Sequence, residues 1–165
     1  MKKIRIIGLC LCSFIALMSF TINTHKPTYT LPYDEAMRLI GNVLTKARTF
    51  TGSRYKWGGT QANGLDCSAL MVLSFRSVGI TLPRTSSEIA HIGKRVSLKD
   101  IMPGDLVFFS TSPDRNISHI GIVAEFRSEN DIRFIHSSSL NGGVREDNLF
   151  DKKYQKWFVK AMRVF

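Results

Sequence analysis

Cys67, His119 and His136 are the residues whose types and spacing could carry covalent chemistry. Cys67 lies in Gly64-Leu65-Asp66-Cys67-Ser68-Ala69-Leu70, between a glycine-rich segment and the apolar run Leu70-Met71-Val72-Leu73. A loop that ends at a helix N-terminus reads this way, with Asp66 or Ser68 as the cap. The first-turn N–H groups and the positive end of the helix dipole both favour a thiolate. The expectation is a thiol pKa lowered from about 8.5 into roughly the 3.5–7.5 range, provided a basic partner is near. A cysteine nucleophile needs such a base, and the base needs a group to orient it. His119 opens one predicted strand and His136 closes the next. If the two strands pair as a hairpin turning near Asn130, both imidazoles fall at one edge of the sheet. One can then serve the thiol while the other fixes its tautomer. Spacing alone does not say which does which.

The rival use of cysteine and histidine is a metal site. The sequence has no Cys-x-x-Cys and no His-x-x-x-His, so no metal and no cofactor is expected. His91 is expected at the surface rather than as a ligand.

The N-terminus bears on the thiol. Met1 to Arg5 is short and basic, and Ile6 to Ile22 is a 17-residue run without a charge. That pattern predicts an export leader over 1–22. An uncleaved membrane anchor is the alternative, and it would associate the chain with a membrane. Two of the three cysteines, Cys10 and Cys12, lie in this run, where the preceding residues do not favour lipid modification. Beyond the leader Cys67 is alone. An exported chain with one cysteine forms no internal disulfide, which favours a free reactive thiol or an intermolecular pair over a small buried hydrophobe.

The 165 residues suffice for one domain, and a 44% hydrophobic content is that of a globular chain. The net charge is +10; without Lys2, Lys3 and Arg5, 20 basic and 13 acidic residues leave +7. Such a balance favours an anionic partner such as a cell-wall polymer or a membrane surface. No arginine-rich run interleaved with aromatics is present, so nucleic acid is not expected.

The elements that must position the three residues are legible as patterns. Residues 23–33, with Pro27 and Pro32, read as a linker before a domain over 34–165. Asp34 to Phe50 has apolar residues at three and four and reads as an amphipathic helix closed by Gly52. Tyr55-Lys56-Trp57-Gly58-Gly59 reads as a loop in which Trp57 plugs the core and the glycines allow a close backbone approach. The Cys67 helix runs to about Val78 and stops at Gly79. A short helix capped by Ser86 or Ser87 runs to about Ile92. From Met102 onward strands replace helices: 106–109, 118–124, 132–136 and 158–165, with Gly142-Gly143 and the polar stretch around Asp147 as connection. Helices followed by strands predict an α+β fold with the N-terminal helices packed on a C-terminal antiparallel sheet.

Six ordered blocks carry a resemblance. Tyr55-x-Trp57-Gly58-Gly59, Asp66-Cys67-Ser68, Leu82-Pro83-Arg84-Thr85-Ser86, Pro103-Gly104-Asp105-Leu106, Ser118-His119-Ile120-Gly121-Ile122 and Phe134-Ile135-His136 are similar to those of the NlpC family of bacterial cell-wall cysteine peptidases. The likeness runs from about Ala36 to the C-terminus. It implies a papain-like core with Cys67 as nucleophile, His119 as general base and His136 as the orienting residue. It also implies that Tyr55 lies near the active site and that Asp66 and Ser68 line the pocket for the substrate peptide. The implied substrate is a peptidoglycan stem peptide or its cross-link, and the implied place is the periplasm or cell envelope. Two departures stand out: Ala69 where the family usually has Gly, and Ile89 where it often has Gln. Ile89 is expected at the rim of the groove. An amidase or acyltransferase on a related core, and a non-catalytic wall-binding module, are the alternative functions.

Overall fold

The computed structural model describes residues 31–140 and 142–165. The predicted leader over 1–22, Cys10, Cys12 and most of the predicted linker lie outside the described residues.

Helix α1, Tyr33–Arg48, opens the described chain with Asp34 and Glu35 in its first turn and Lys46 and Arg48 in its last. Each charge lies at the dipole end that suits it. Its buried stripe is Ile40, Val43, Leu44 and Ala47, the three-and-four spacing of one helix face. Two short strands, β1 at Thr60–Gln61 and β2 at Gly64–Leu65, form a small antiparallel ribbon. Helix α2, Cys67–Arg76, follows directly. Helix α3 is a single turn, Ser86–Ile89. Its cap is Thr85, which exchanges hydrogen bonds with Glu88 in a capping box. The expected serine caps are therefore one or two residues late, and the helix ends before Ile92. Only Thr85 has a glutamate three residues on to complete the reciprocal pair.

The main sheet has six antiparallel strands in the order β3-β8-β4-β5-β6-β7. They are β3, Lys94–Val96; β4, Leu106–Phe109; β5, His119–Ser128; β6, Asp131–Ser138; β7, Gly143–Asn148; and β8, Phe158–Arg163. A six-residue helix, α4 at Lys152–Trp157, precedes β8. The β5–β6 hairpin turns at Glu129-Asn130, with Ser128 opposite Asp131. Strand β7 replaces the expected connection around Asp147: Val144 pairs with Ser137, Arg145 with His136 and Asp147 with Phe134. Its sequence, Gly-Val-Arg-Glu-Asp-Asn, carries three charges in six residues and lacks the β-branched run that marks a strand. It pairs because β6 offers it an edge.

The period of two explains the core. Leu106 and Phe108 of β4 face α1 and α2 in one cluster with Ile120, Ile122 and Ile135. Val107 and Phe109 face the other side, with Val123, Phe134, Tyr154 and Ala161. All four β4 residues are buried, which is why this strand is a continuous apolar run rather than an alternating one. Helices α1 and α2 cover one face of the sheet, and α4 with its flanking loops covers the other. The α+β architecture of N-terminal helices on an antiparallel sheet is as expected.

Candidate active site

The thiol is positioned by the first turn of α2. Asp66 is the cap: its Oδ1 accepts the Ala69 N–H at 2.7 Å. Arg84 then clamps the same carboxylate as a fork, Nη2 to Oδ2 at 2.6 Å and Nη1 to Oδ1 at 3.1 Å. Ser68 joins them, donating to Asp66 at 3.0 Å and accepting from Arg84 at 2.8 Å. Burial would raise the Asp66 pKa, but Arg84, the Ala69 N–H and Ser68 outweigh it and hold the carboxyl below the usual range. On the other side, Ser137 of β6 donates to the Leu65 carbonyl at 2.7 Å. The strand that carries His136 is thereby tied to Leu65, two residues before Cys67.

Cys67 is buried, and its sulfur sits against the backbone N–H of Ile120, the residue after His119. Burial pushes the thiol up to about 11, against the opposing pull of the N–H groups of Ile120, Ser68 and Cys67 itself; the Asp66 charge adds to the rise. The expected fall in pKa is overturned for the unliganded site. Dipole and N–H contacts act on the thiolate as foreseen, but desolvation of a buried anion is the larger effect.

His119 Nε2 lies 2.7 Å from His136 Nδ1, and the rings meet edge to face with centroids 5.0 Å apart. Burial drives the His119 pKa down to about 3, and His136 contributes in the same direction. Burial also lowers His136, although Asp147 works against it. Burial thus works against the charged form of both the thiol and the imidazole. Alkylation of Cys67 by iodoacetamide should accordingly rise about tenfold per pH unit from pH 7 to 9. A labelling rate that already levels off below pH 7 would show a resting thiolate and contradict this.

Behind His136 lies a layer that the sequence did not disclose. Asp147 Oδ2 is 3.1 Å from His136 Nε2 and accepts the Tyr154 hydroxyl at 2.5 Å. Its Oδ1 accepts from Arg145 Nε at 2.8 Å. Burial raises the Asp147 pKa, but His136, Tyr154 and Arg145 together hold it far below the usual carboxylate range. The Tyr154 hydroxyl is pushed up by burial and by Asp147.

Two clefts open on either side of Trp57. One is lined by Asp66, Cys67, Ser68, Arg84, Thr85 and Ser86, the other by His119, His136, Ser138, Leu140, Tyr154 and Trp157. Tyr55, Trp57 and Ser118 line both. Tyr55 is half-buried; burial raises its hydroxyl pKa, and charge on Cys67 or Asp66 would raise it further. Tyr55, Asp66 and Ser68 all border the cleft that holds the thiol. Trp57 corrects its reading: it is 85% exposed and forms a wall between the clefts instead of a core plug. Gly59 serves a close approach of chain to chain, since a Cβ there would stand 2.3 Å from the Gly64 carbonyl oxygen, whereas Gly58 is needed for its positive φ of 68°. Ile89 is also corrected. It is fully buried in the helix-side core and does not reach the groove rim. His91 is exposed, as expected. Among the described residues, no group of three or more His, Cys, Asp or Glu side chains could hold a metal ion.

A buried thiol at a helix N-terminus, set against an antiparallel sheet that carries paired imidazoles, defines a class of α+β folds. Within it, the family model described as NlpC/P60 matches residues 52–163. The probable endopeptidase NlpC of Escherichia coli is 31% identical over 159 residues, covering 94% of this chain and 98% of that protein. The bifunctional muramidase/DL-endopeptidase CwlT of Bacillus subtilis is 37% identical over 123 residues, which cover 72% of this chain and 37% of CwlT. The solved structure of an NlpC/P60 family protein from Bacillus cereus has a TM-score of 0.68 at 26% identity, covering 76% of this chain and 40% of that one. The peptidoglycan hydrolase RipB of Mycobacterium tuberculosis shares the fold, with a TM-score of 0.67 at 23% identity over 82% of this chain and 69% of its own. The chain belongs to the NlpC/P60 family of cysteine peptidases.

Proposed function

We propose that this protein is a peptidoglycan endopeptidase of the bacterial cell envelope, with Cys67 as nucleophile, His119 as general base and His136 as the residue that orients it. The observation that carries the reading is a buried thiol at the start of α2, against the sheet on which His119 Nε2 is already engaged by His136 Nδ1 at 2.7 Å. Only Nδ1 of His119 remains to serve the thiol. In the acylation step the Cys67 proton moves to His119 Nδ1 as the sulfur attacks the scissile carbonyl carbon. The resulting imidazolium returns that proton to the leaving nitrogen as the C–N bond breaks. Water then attacks the thioester, gives a proton to His119, and the sulfur departs and recovers it. The N–H of Cys67 at the start of α2 is the donor for the oxyanion. Burial, which disfavours charge on either group before attack, suits this sequence, since the proton leaves the thiol as the new bond forms.

The names of two relatives support a finer choice of bond. CwlT is a DL-endopeptidase, and a second Bacillus subtilis relative, 27% identical over 136 residues, is a gamma-D-glutamyl-L-lysine dipeptidyl-peptidase. The proposed target is therefore the bond between D-glutamate and the diamino acid of the stem peptide. Tyr55, Asp66 and Ser68 would line the subsite for the acyl side, with Arg84 holding the last two in place. Residues 1–22 serve as the export leader, 23–33 as a linker and 34–165 as the peptidase domain. The test is digestion of defined muropeptides followed by mass analysis of the products. A cut after D-glutamate is expected. Release of whole stem peptides from the sugar would make the protein an amidase, and cleavage confined to D-alanine cross-links would overturn the choice of bond.

A further inference from the structure

The proton positions along the histidine pair can be derived from the group at its far end. Asp147 is 5% exposed and receives donors on both oxygens, Tyr154 and His136 on one and Arg145 on the other. An ionised carboxylate only accepts, so the His136 nitrogen that faces it, Nε2, must carry a proton. A neutral imidazole has one N–H, and His136 Nδ1 is then bare. His119 Nε2 lies 2.7 Å from that bare nitrogen and must supply the hydrogen of the bond. This leaves His119 Nδ1 with a free lone pair.

We propose that Asp147 is a positioning residue that acts through two hydrogen bonds to hold the His119 proton on Nε2, keeping Nδ1 available as the base for Cys67. The inference deepens the reading of Cys67 and His119 as nucleophile and base, and rests on it. Without the carboxylate the two-ring chain can be written equally well in reverse, with His136 Nδ1–H donating to His119 Nε2. His119 would then present an N–H toward the thiol and could not take its proton. With Asp147 in place, that reversal sets the lone pair of His136 Nε2 against a carboxylate oxygen 3.1 Å away. The role is one of tautomer rather than of charge. The groups facing the pair are Asp147 and Arg145 from β7, Tyr154 and Lys153 from α4, and Tyr55 across the cleft. Arg145 and Lys153 both oppose protonation of His136, so the single negative charge of Asp147 is already offset. Tyr154 fixes the carboxylate from the other side: it donates to Oδ2 and stands 3.3 Å from His136 Nε2.

The experiment is nitrogen-15 NMR of the histidine rings in the full chain above pH 7, where protonated and bare ring nitrogens resonate in separate ranges. The wild type is expected to show both His119 and His136 protonated on Nε2. In Asp147→Asn, which can turn its amide toward His136, His119 is expected to carry its proton partly or wholly on Nδ1. The same variant should lose about 10²-fold in kcat with little change in KM, less than a group in direct contact with the base would cost. A wild-type His119 protonated on Nδ1 overturns the proposal, and so does an Asp147→Asn protein whose tautomers and kcat are unchanged. If the variant does not fold, the wild-type spectrum still decides. Failure of the functional reading would show separately, as absence of hydrolysis by a wild type with the expected tautomers.

Discussion

Replacement of His119 by alanine is expected to lower kcat/KM for muropeptide cleavage by about 10³- to 10⁴-fold, the upper part of the range for loss of a general base. The size of the effect follows from the resting state of the site. Burial pushes the thiol up to about 11 and the imidazole down to about 3, so it opposes a thiolate held ready before attack. Nearly all nucleophilic character must then arise by proton transfer during attack, and the alanine variant has no group to receive the proton. Activity of the variant should recover in part as the pH is raised toward the thiol pKa, because hydroxide then does what the imidazole did. A steady-state pH series on the two proteins checks both statements. A loss smaller than tenfold at neutral pH would mean that another group serves the thiol.

The second large effect is on stability. Asp66→Ala removes the cap of α2, leaves the Ser68 hydroxyl without its acceptor and takes the carboxylate from the Arg84 fork. A lost cap costs about 1 kcal/mol and a lost charge-assisted hydrogen bond about 1.5–3 kcal/mol. The Arg84 side chain is 41% exposed and can turn to water, which discounts its share. The expected loss is therefore about 3 kcal/mol, or roughly 10 °C in the midpoint of thermal unfolding for a domain of this size. Asp66→Asn should fall between, since asparagine caps as well as aspartate but cannot hold the guanidinium as an ion pair. Calorimetry on the three proteins checks the order. An alanine variant as stable as the wild type would show that the Arg84–Asp66–Ser68 group contributes nothing to folding.

Much of the helix-and-sheet plan was legible because one physical signal, burial, dictated the residue pattern. The three-and-four stripe of α1 and the apolar run of β4 face a core and carry its mark. So does the hairpin turn at Glu129-Asn130, which lies between two such strands. Cys67 was legible for a different reason: a lone thiol after a capped turn is unusual in itself. Asp147 was not, because nothing local distinguishes it. Strand β7 is paired at the sheet edge by β6 and carries three consecutive charged residues, Arg145, Glu146 and Asp147, so its sequence looks like a loop. Only the register that sets Arg145 opposite His136 reveals what Asp147 faces. Arg84 is similar, a charged residue in a polar turn whose partner lies 18 residues away. Trp57 was misread because large aromatics are usually buried; here two clefts meet at the ring and leave it open. The thiol pKa was misjudged because the helix dipole can be read from sequence and the depth of burial cannot.

Incubation of purified sacculi with the wild type and with Cys67→Ala, followed by separation and mass analysis of the soluble fragments, tests the central claim most directly. The expected result is release of muropeptide fragments by the wild type and none above background by the variant, with both proteins folded to the same extent. Equal release by the two would contradict a cysteine peptidase centred on Cys67.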